Sequence, residues 1–237
     1  FPKKLGGVLS FSSSTRFSDC DLKTPLGEEI SMDTILKNVD KIFEEGNYTG
    51  AIQMLTPLLK KREALTPSQE CRALQLISMC YRQLRDDKSA LPYAKRFLKL
   101  APKVWKKGSF HHMRALAEVG NAELRLKKFI SAKNRFNEEI AMMKALGMEN
   151  SAEYGCGLMD VANVDMEQKR YQEALDGYIK AKAVIDNFKD NRNYGALLGH
   201  AGICFDGLKR YTEAVVYYRE HVEWNRNILG NQHPNYA

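Results

Sequence analysis

No stretch of this 237-residue chain is apolar over the length needed to cross a bilayer, which excludes a membrane-spanning helix. A secretory leader is also missing, and the sequence opens at Phe1 rather than methionine, so a fragment or trimmed chain is expected. The five cysteines, Cys20, Cys71, Cys80, Cys156 and Cys204, include no Cys-x-x-Cys pair and follow no disulfide framework. They read as reduced packing residues of a cytoplasmic protein. No Gly-rich phosphate loop links a strand to a helix, because no strands are predicted. His111 and His112 have no third metal ligand at a suitable spacing, and adjacent side chains diverge on a helix. His200 and Cys204 share one helix face but no third group orients them. The expectation is no catalytic residue, no metal, no cofactor, and therefore no enzyme.

What the chain does have is a period. Ala51, Ala90, Ala132, Ala174 and Ala214 recur at intervals of 39, 42, 42 and 40 residues. Most follow a basic or polar turn and an aromatic, as in Lys127-Lys128-Phe129-Ile130-Ser131-Ala132 and Lys169-Arg170-Tyr171-Gln172-Glu173-Ala174. Four residues after the alanines stand Leu55, Ala94, Phe136, Tyr178 and Tyr218; twelve before them stand Val39, Ser78, Gly120, Ala162 and Gly202. A small residue lets two antiparallel helices approach, and a large one fills the space beside the crossing. Self-similarity at this period signals a stacked array of helix pairs.

These alanine, small and aromatic positions resemble the tetratricopeptide repeat, over roughly residues 32 to 228. The resemblance implies an all-α, right-handed superhelical solenoid of about five antiparallel helix pairs. The copies are placed near 32–65, 71–104, 113–146, 155–188 and 195–228. Ordinary copies are about 34 residues long, so the longer period here implies longer helices or loops. Long copies are similar to those of kinesin light chains and Pins-type adaptors. Leu229-Gly230-Asn231-Gln232-His233-Pro234-Asn235-Tyr236-Ala237 is similar to the Leu-Gly-x-x-His-Pro-x-x-Ala phrase that opens light-chain copies. On that resemblance, residues 229–237 begin a further, truncated copy. The paired asparagines usual in the first helix of light-chain copies are absent.

Residues 1–30, rich in serine and carrying Gly6 and Gly7, read as a separate arm. Phe1, Leu5, Phe11 and Phe17 could anchor it on the array or on a second copy, a route to self-association. Thr66-Pro67-Ser68-Gln69 predicts a capping box opening the second copy, and Asn150 with Glu153 a similar start to the fourth. Gly108, Gly147 and Gly230 suit helix exits. Pro57 is expected to kink or delay its helix, whereas Pro92 should be tolerated in a first turn. Lys+Arg exceed Asp+Glu by 36 to 29. The excess gathers between Lys95 and Arg135, which favours acidic partners or simply solubilises long helices.

With no catalytic constellation, function falls to a surface. The resemblance implies that first helices line a concave groove for an extended or helical peptide. The family's groove positions fall on Arg72, Gln75, Met79, Arg82, Arg114, Asn121, Arg125, Met159, Asn163 and Met166, among others. Asn121 and Asn163 occupy the same position of consecutive copies, where an amide can bridge the N–H and C=O of a bound backbone or serve as a solvated or capping group. Arg72, Arg82, Arg114 and Arg125 suit carboxylates; their alternative use is to pair with Glu and Asp of neighbouring copies. The methionines offer adaptable apolar contact. The carboxylate clamp of chaperone-binding members is not present in its usual form, since Ala117, Gly199 and Ile203 occupy positions it needs. The sequence therefore predicts a non-catalytic scaffold or adaptor, binding an acidic protein or peptide with hydrophobic anchors. RNA or another polyanion at the basic centre is the alternative; RNA-reading helical repeats usually carry a coded pair of side chains per repeat, and no such code is seen here.

Overall fold

A hydroxyl, amide or carboxylate sits just before most of the helical segments. Ser31, Asn47, Thr66, Asp86, Ser109 and Ser151 each accept the backbone N–H three residues on, satisfying a donor the helix itself cannot reach. The computed structural model describes residues 31–61, 65–188 and 192–229. Within them the chain is all-α: α1 (Met32–Glu44), α2 (Tyr48–Lys60), α3 (Pro67–Gln83), α4 (Asp87–Trp105), α5 (Phe110–Arg125), α6 (Phe129–Ala145), α7 (Ala152–Glu167), α8 (Tyr171–Ile185), α9 (Arg192–Gly207) and α10 (Tyr211–Leu229). The helices pair antiparallel and stack into a right-handed superhelical solenoid. The predicted arm (1–30) and the final phrase from Gly230 onward lie outside the described residues.

The turn inside each pair is the same object five times. Residues 45–47, 84–86, 126–128, 168–170 and 208–210 join the two helices. The middle residue of each, Gly46, Arg85, Lys127, Lys169 or Lys209, has φ between 58° and 78°. Its N–H bonds back to the carbonyl three residues earlier, and the next N–H bonds to the carbonyl five earlier: Lys127 to Leu124 and Lys128 to Glu123, for example. That double closure is the Schellman motif, which satisfies carbonyls left open at a helix end. Four of the five copies force a long basic residue into the left-handed region that glycine fills more easily.

Packing follows the small-and-large register. Val39, Ser78, Ala51, Ala90, Ala132 and Ala174 have no exposed surface. A Cβ placed on Gly120 would lie 2.5 Å from the Phe136 ring, and one on Gly202 would lie 2.5 Å from Tyr218. Phe136 and Tyr178 are fully buried, whereas Tyr218, on the last described helix, is partly exposed beside Val215, Val216 and Val222. Each helix packs mainly on its sequence neighbours. First helices also touch first helices, α1 on α3, α3 on α5, α5 on α7 and α7 on α9, and no two second helices meet comparably. First helices thus form a continuous inner wall, and second helices the outer layer.

Three local expectations need correction. Pro57 does not delay α2, which begins at Tyr48 and runs to Lys60; it sits near the C-terminal end, where only the last turn depends on it. Pro92 lies past the first turn of α4, and Pro102 is also inside that helix. The cap of α7 is Ser151 rather than Asn150, because the Ser151 hydroxyl accepts the Tyr154 N–H at 3.1 Å. The capping box at Thr66 and Gln69 is present as predicted, and Gly147 takes the left-handed exit of α6.

Candidate binding groove

Most of the ten residues assigned to the groove fall into three clefts between first helices. Arg72 and Gln75 line a cleft of about 550 Å³ with Asp33, Asp40, Trp105 and His111. Arg82, Asn121, Arg125, Asn163 and Met166 come together around a second, of about 440 Å³, with Asp87, Leu124 and His200. Arg114 lines a third, of about 350 Å³, between α5, α6 and α7. Met79 is half-buried. Met159 is buried at 6% exposure and packs with Tyr178 and Leu197 in the core of the last two pairs, so it belongs to the interior.

The arginines largely take their alternative role. Arg72 Nη2 lies 2.6 Å from Asp40 of α1. Arg82 Nη1 lies 2.5 Å from Glu118 of α5, and Arg125 Nε 2.8 Å from Asp87 at the start of α4. Glu118 and Asp87 are nearly buried, so these pairs compensate carboxylates that would otherwise be costly. Arg114 is exposed and makes no ion pair among the described residues. The basic centre behaves similarly: Lys95 meets Glu123, Arg96 meets Glu70, and Lys133 meets Asp165.

The two register-matched asparagines differ. Asn121 donates to the Ala117 carbonyl one turn back at 3.0 Å. Asn163 donates to Asp160 at 3.3 Å and accepts the hydroxyl of buried Tyr178 at 2.6 Å, so it supports the core as well as lining the cleft. Gln75 is buried; its Oε1 accepts from Arg72, and its Nε2 has no partner.

The sequence reading missed Glu139. Seven residues after the repeat alanine the other copies carry Leu58, Phe97, Ala181 and His221, and the third carries this glutamate. It is 7% exposed, and Oε2 has no hydrogen-bond partner. Glu118 and Asp160 stand beside it at equivalent positions of α5 and α7. Burial, then the charges of Asp160 and Glu118, push its carboxyl up to about 8. Burial likewise raises Asp160 to about 7, against the lowering pull of Arg82 and the Asn163 hydrogen bond. A buried acid at an apolar register position was the signal available.

The other candidate groups serve packing. His111 stacks on Trp105 at 3.9 Å, and the buried His112 ring accepts the Gly108 N–H at 3.1 Å. Burial pushes the Cys204 thiol up to about 11, which makes it a poor nucleophile. Burial lowers His200, whose ring lies against Tyr178. Among the described residues no group of three His, Cys, Asp or Glu is placed to hold a metal ion, and no helix is long and apolar enough to cross a membrane.

An inner wall of first helices, a repeated small-and-large crossing and a common turn define a class of helical-repeat scaffold. Tetratricopeptide-repeat family profiles match residues 72–104 and 153–227. Both stretches therefore read as tetratricopeptide repeats, and the fold as a whole resembles the long repeats of kinesin light chain. No curated protein sequence matches the chain. Among solved structures it is similar to BtubC (BKLC) from P. vanneervenii, at 15% identity over 85% of this chain and 82% of that one, with a TM-score of 0.68. It is similar too to nearly identical TPR-like repeats of kinesin-light-chain type from Podosopora anserina, at 11% identity over 84% and 96%, TM-score 0.67. A Rap protein complexed with competence and sporulation factor matches at 12% identity over 84% of this chain and 55% of its own length, TM-score 0.72. At these identities the likeness is one of fold.

Proposed function

We propose that the chain is a non-catalytic adaptor whose inner wall grips a segment of a partner protein. The observation that carries this reading is the convergence of Asn121, Asn163, Met166 and Leu124 on one cleft of the first-helix wall. There an amide can meet a bound backbone while the Met166 thioether meets apolar side chains; Leu124, buried, backs the cleft from the core. A Rap protein of similar fold is solved in complex with competence and sporulation factor, so a protein of this fold can hold a ligand.

The partner's expected acidity rested on the basic centre and on four arginines of the inner wall. A carboxylate-rich segment would have to displace Asp40, Glu118 and Asp87 from three of them, which leaves Arg114 as the uncommitted one. We therefore assign recognition to backbone and apolar contacts first. Lys99 and Lys103 of α4, with Lys106, Lys107 and Lys128 of the turns, lie outside the first helices, whereas Lys127 lines the Asn121 cleft; the former are where a polyanion would bind instead. Self-association through residues 1–30 falls outside the described residues.

A displayed random-peptide selection tests the reading. Peptides captured by the chain should bind the Asn121→Ala variant about ten-fold more weakly, as expected for loss of a bidentate amide. Among the described residues Asn121 bonds within its own helix turn alone, so the variant keeps its fold. Capture of RNA in preference to peptides, weakening steeply with salt, would support the polyanion instead.

A further inference from the structure

We infer that the cleft between the third and fourth helix pairs is a subsite for one cationic side chain, lysine or arginine, of the bound protein segment. This rests on the groove reading above and gives it a sign of charge at one place. The cleft is about 350 Å³, room for a long side chain, and its α5 and α7 walls are first helices. Glu118 and Asp160 come from equivalent positions of those helices. Glu118 is held by Arg82, whose charge also acts on Asp160; among the described residues Asp160 accepts one hydrogen bond, the long one from Asn163.

Glu139 is the independent observation. It reaches the same cleft from α6, is more than nine-tenths buried, and leaves Oε2 without a partner. Buried polar groups are almost always satisfied, so an orphan carboxylate lining an open cleft points to an absent donor. The groups facing it are Arg114 and Glu118 from α5, Glu153, Cys156 and Asp160 from α7, and Asn193 from α9. Carboxylates outnumber cations there. An ammonium or guanidinium entering the cleft would meet Asp160 and Glu139 together and satisfy the orphan oxygen.

Both carboxyls hold their protons unusually well when the cleft is empty. A bound cation favours their ionised forms, so binding releases protons and tightens as pH rises through neutrality. An anionic or apolar occupant would show the opposite trend or none.

Three random peptide pools of equal apolar content test the inference, with lysine, glutamate or neither as the only charged residue. Retention on the immobilised chain is measured at low and high pH. The lysine pool should be retained about ten-fold better than the glutamate pool, and better still at higher pH. Glu139→Gln and Asp160→Asn should each remove most of that advantage, while retained helicity and an unchanged or raised Tm show that the fold survives. Arg114→Gln, which removes the cleft's uncommitted cation, should strengthen lysine-pool retention. Lysine-pool retention no better than that of the neutral pool, or unaffected by Glu139→Gln, overturns the subsite and leaves the groove standing. If no pool is retained, the groove reading fails with it.

Discussion

A single glutamate at a core register position carries a cost that can be measured. Glu139 is ordinarily half-ionised near 4.5 but in the fold only near 8, so the folded state holds its proton more tightly than the unfolded chain. Its contribution to stability is therefore intact below its unfolded value and is lost as pH rises toward its folded one. Wild-type protein should lose about 2 kcal/mol or more between about pH 5 and pH 8 from this group, and Glu139→Gln should flatten that slope. Denaturant titrations across that range check it; an equal slope in both proteins would contradict it. The sequence displayed this residue against Leu58, Phe97 and Ala181, but repeat alignment trains attention on what recurs. Glu139 is informative because it breaks the register. The arginines were legible as inner-wall residues, but not their partners, since Asp40, Glu118 and Asp87 come from other helices.

Among elements, the turn within each pair offers the cleanest test. Arg85, Lys127, Lys169 and Lys209 hold left-handed backbone that costs a non-glycine residue about 1 kcal/mol. Lys127→Gly and Lys169→Gly should each raise stability by about 0.5 kcal/mol, and Lys169→Val should lower it by more than that, because a β-branched side chain tolerates this region worst. Thermal unfolding of the three variants reads this directly; no gain from either glycine would count against the turn geometry. The sequence showed a basic turn, yet not its handedness, because a hydrogen-bonded closure imposes that conformation rather than residue preference. Caps were legible where proline fixed the frame, as at Thr66-Pro67, and slipped by one residue where Asn150 and Ser151 competed.

For the whole molecule, periodicity made the fold legible: five alanines in step require helix pairs, and neighbours stacking on neighbours require an elongated core. Much of the added length of the later copies resides in the helices, which there run from 15 to 19 residues, since every turn within a pair is short. Partner charge was not legible, because it depends on which side chains neutralise one another across pairs. The central claim is that ligand contact belongs to the wall of first helices. Peptides recovered from the display selection, remade with a photoreactive benzophenone side chain and crosslinked to the chain, test it most directly. The account predicts adducts on α3, α5 and α7, around Arg114, Asn121 and Met166. Adducts confined to α4, α6 and α8 would contradict it.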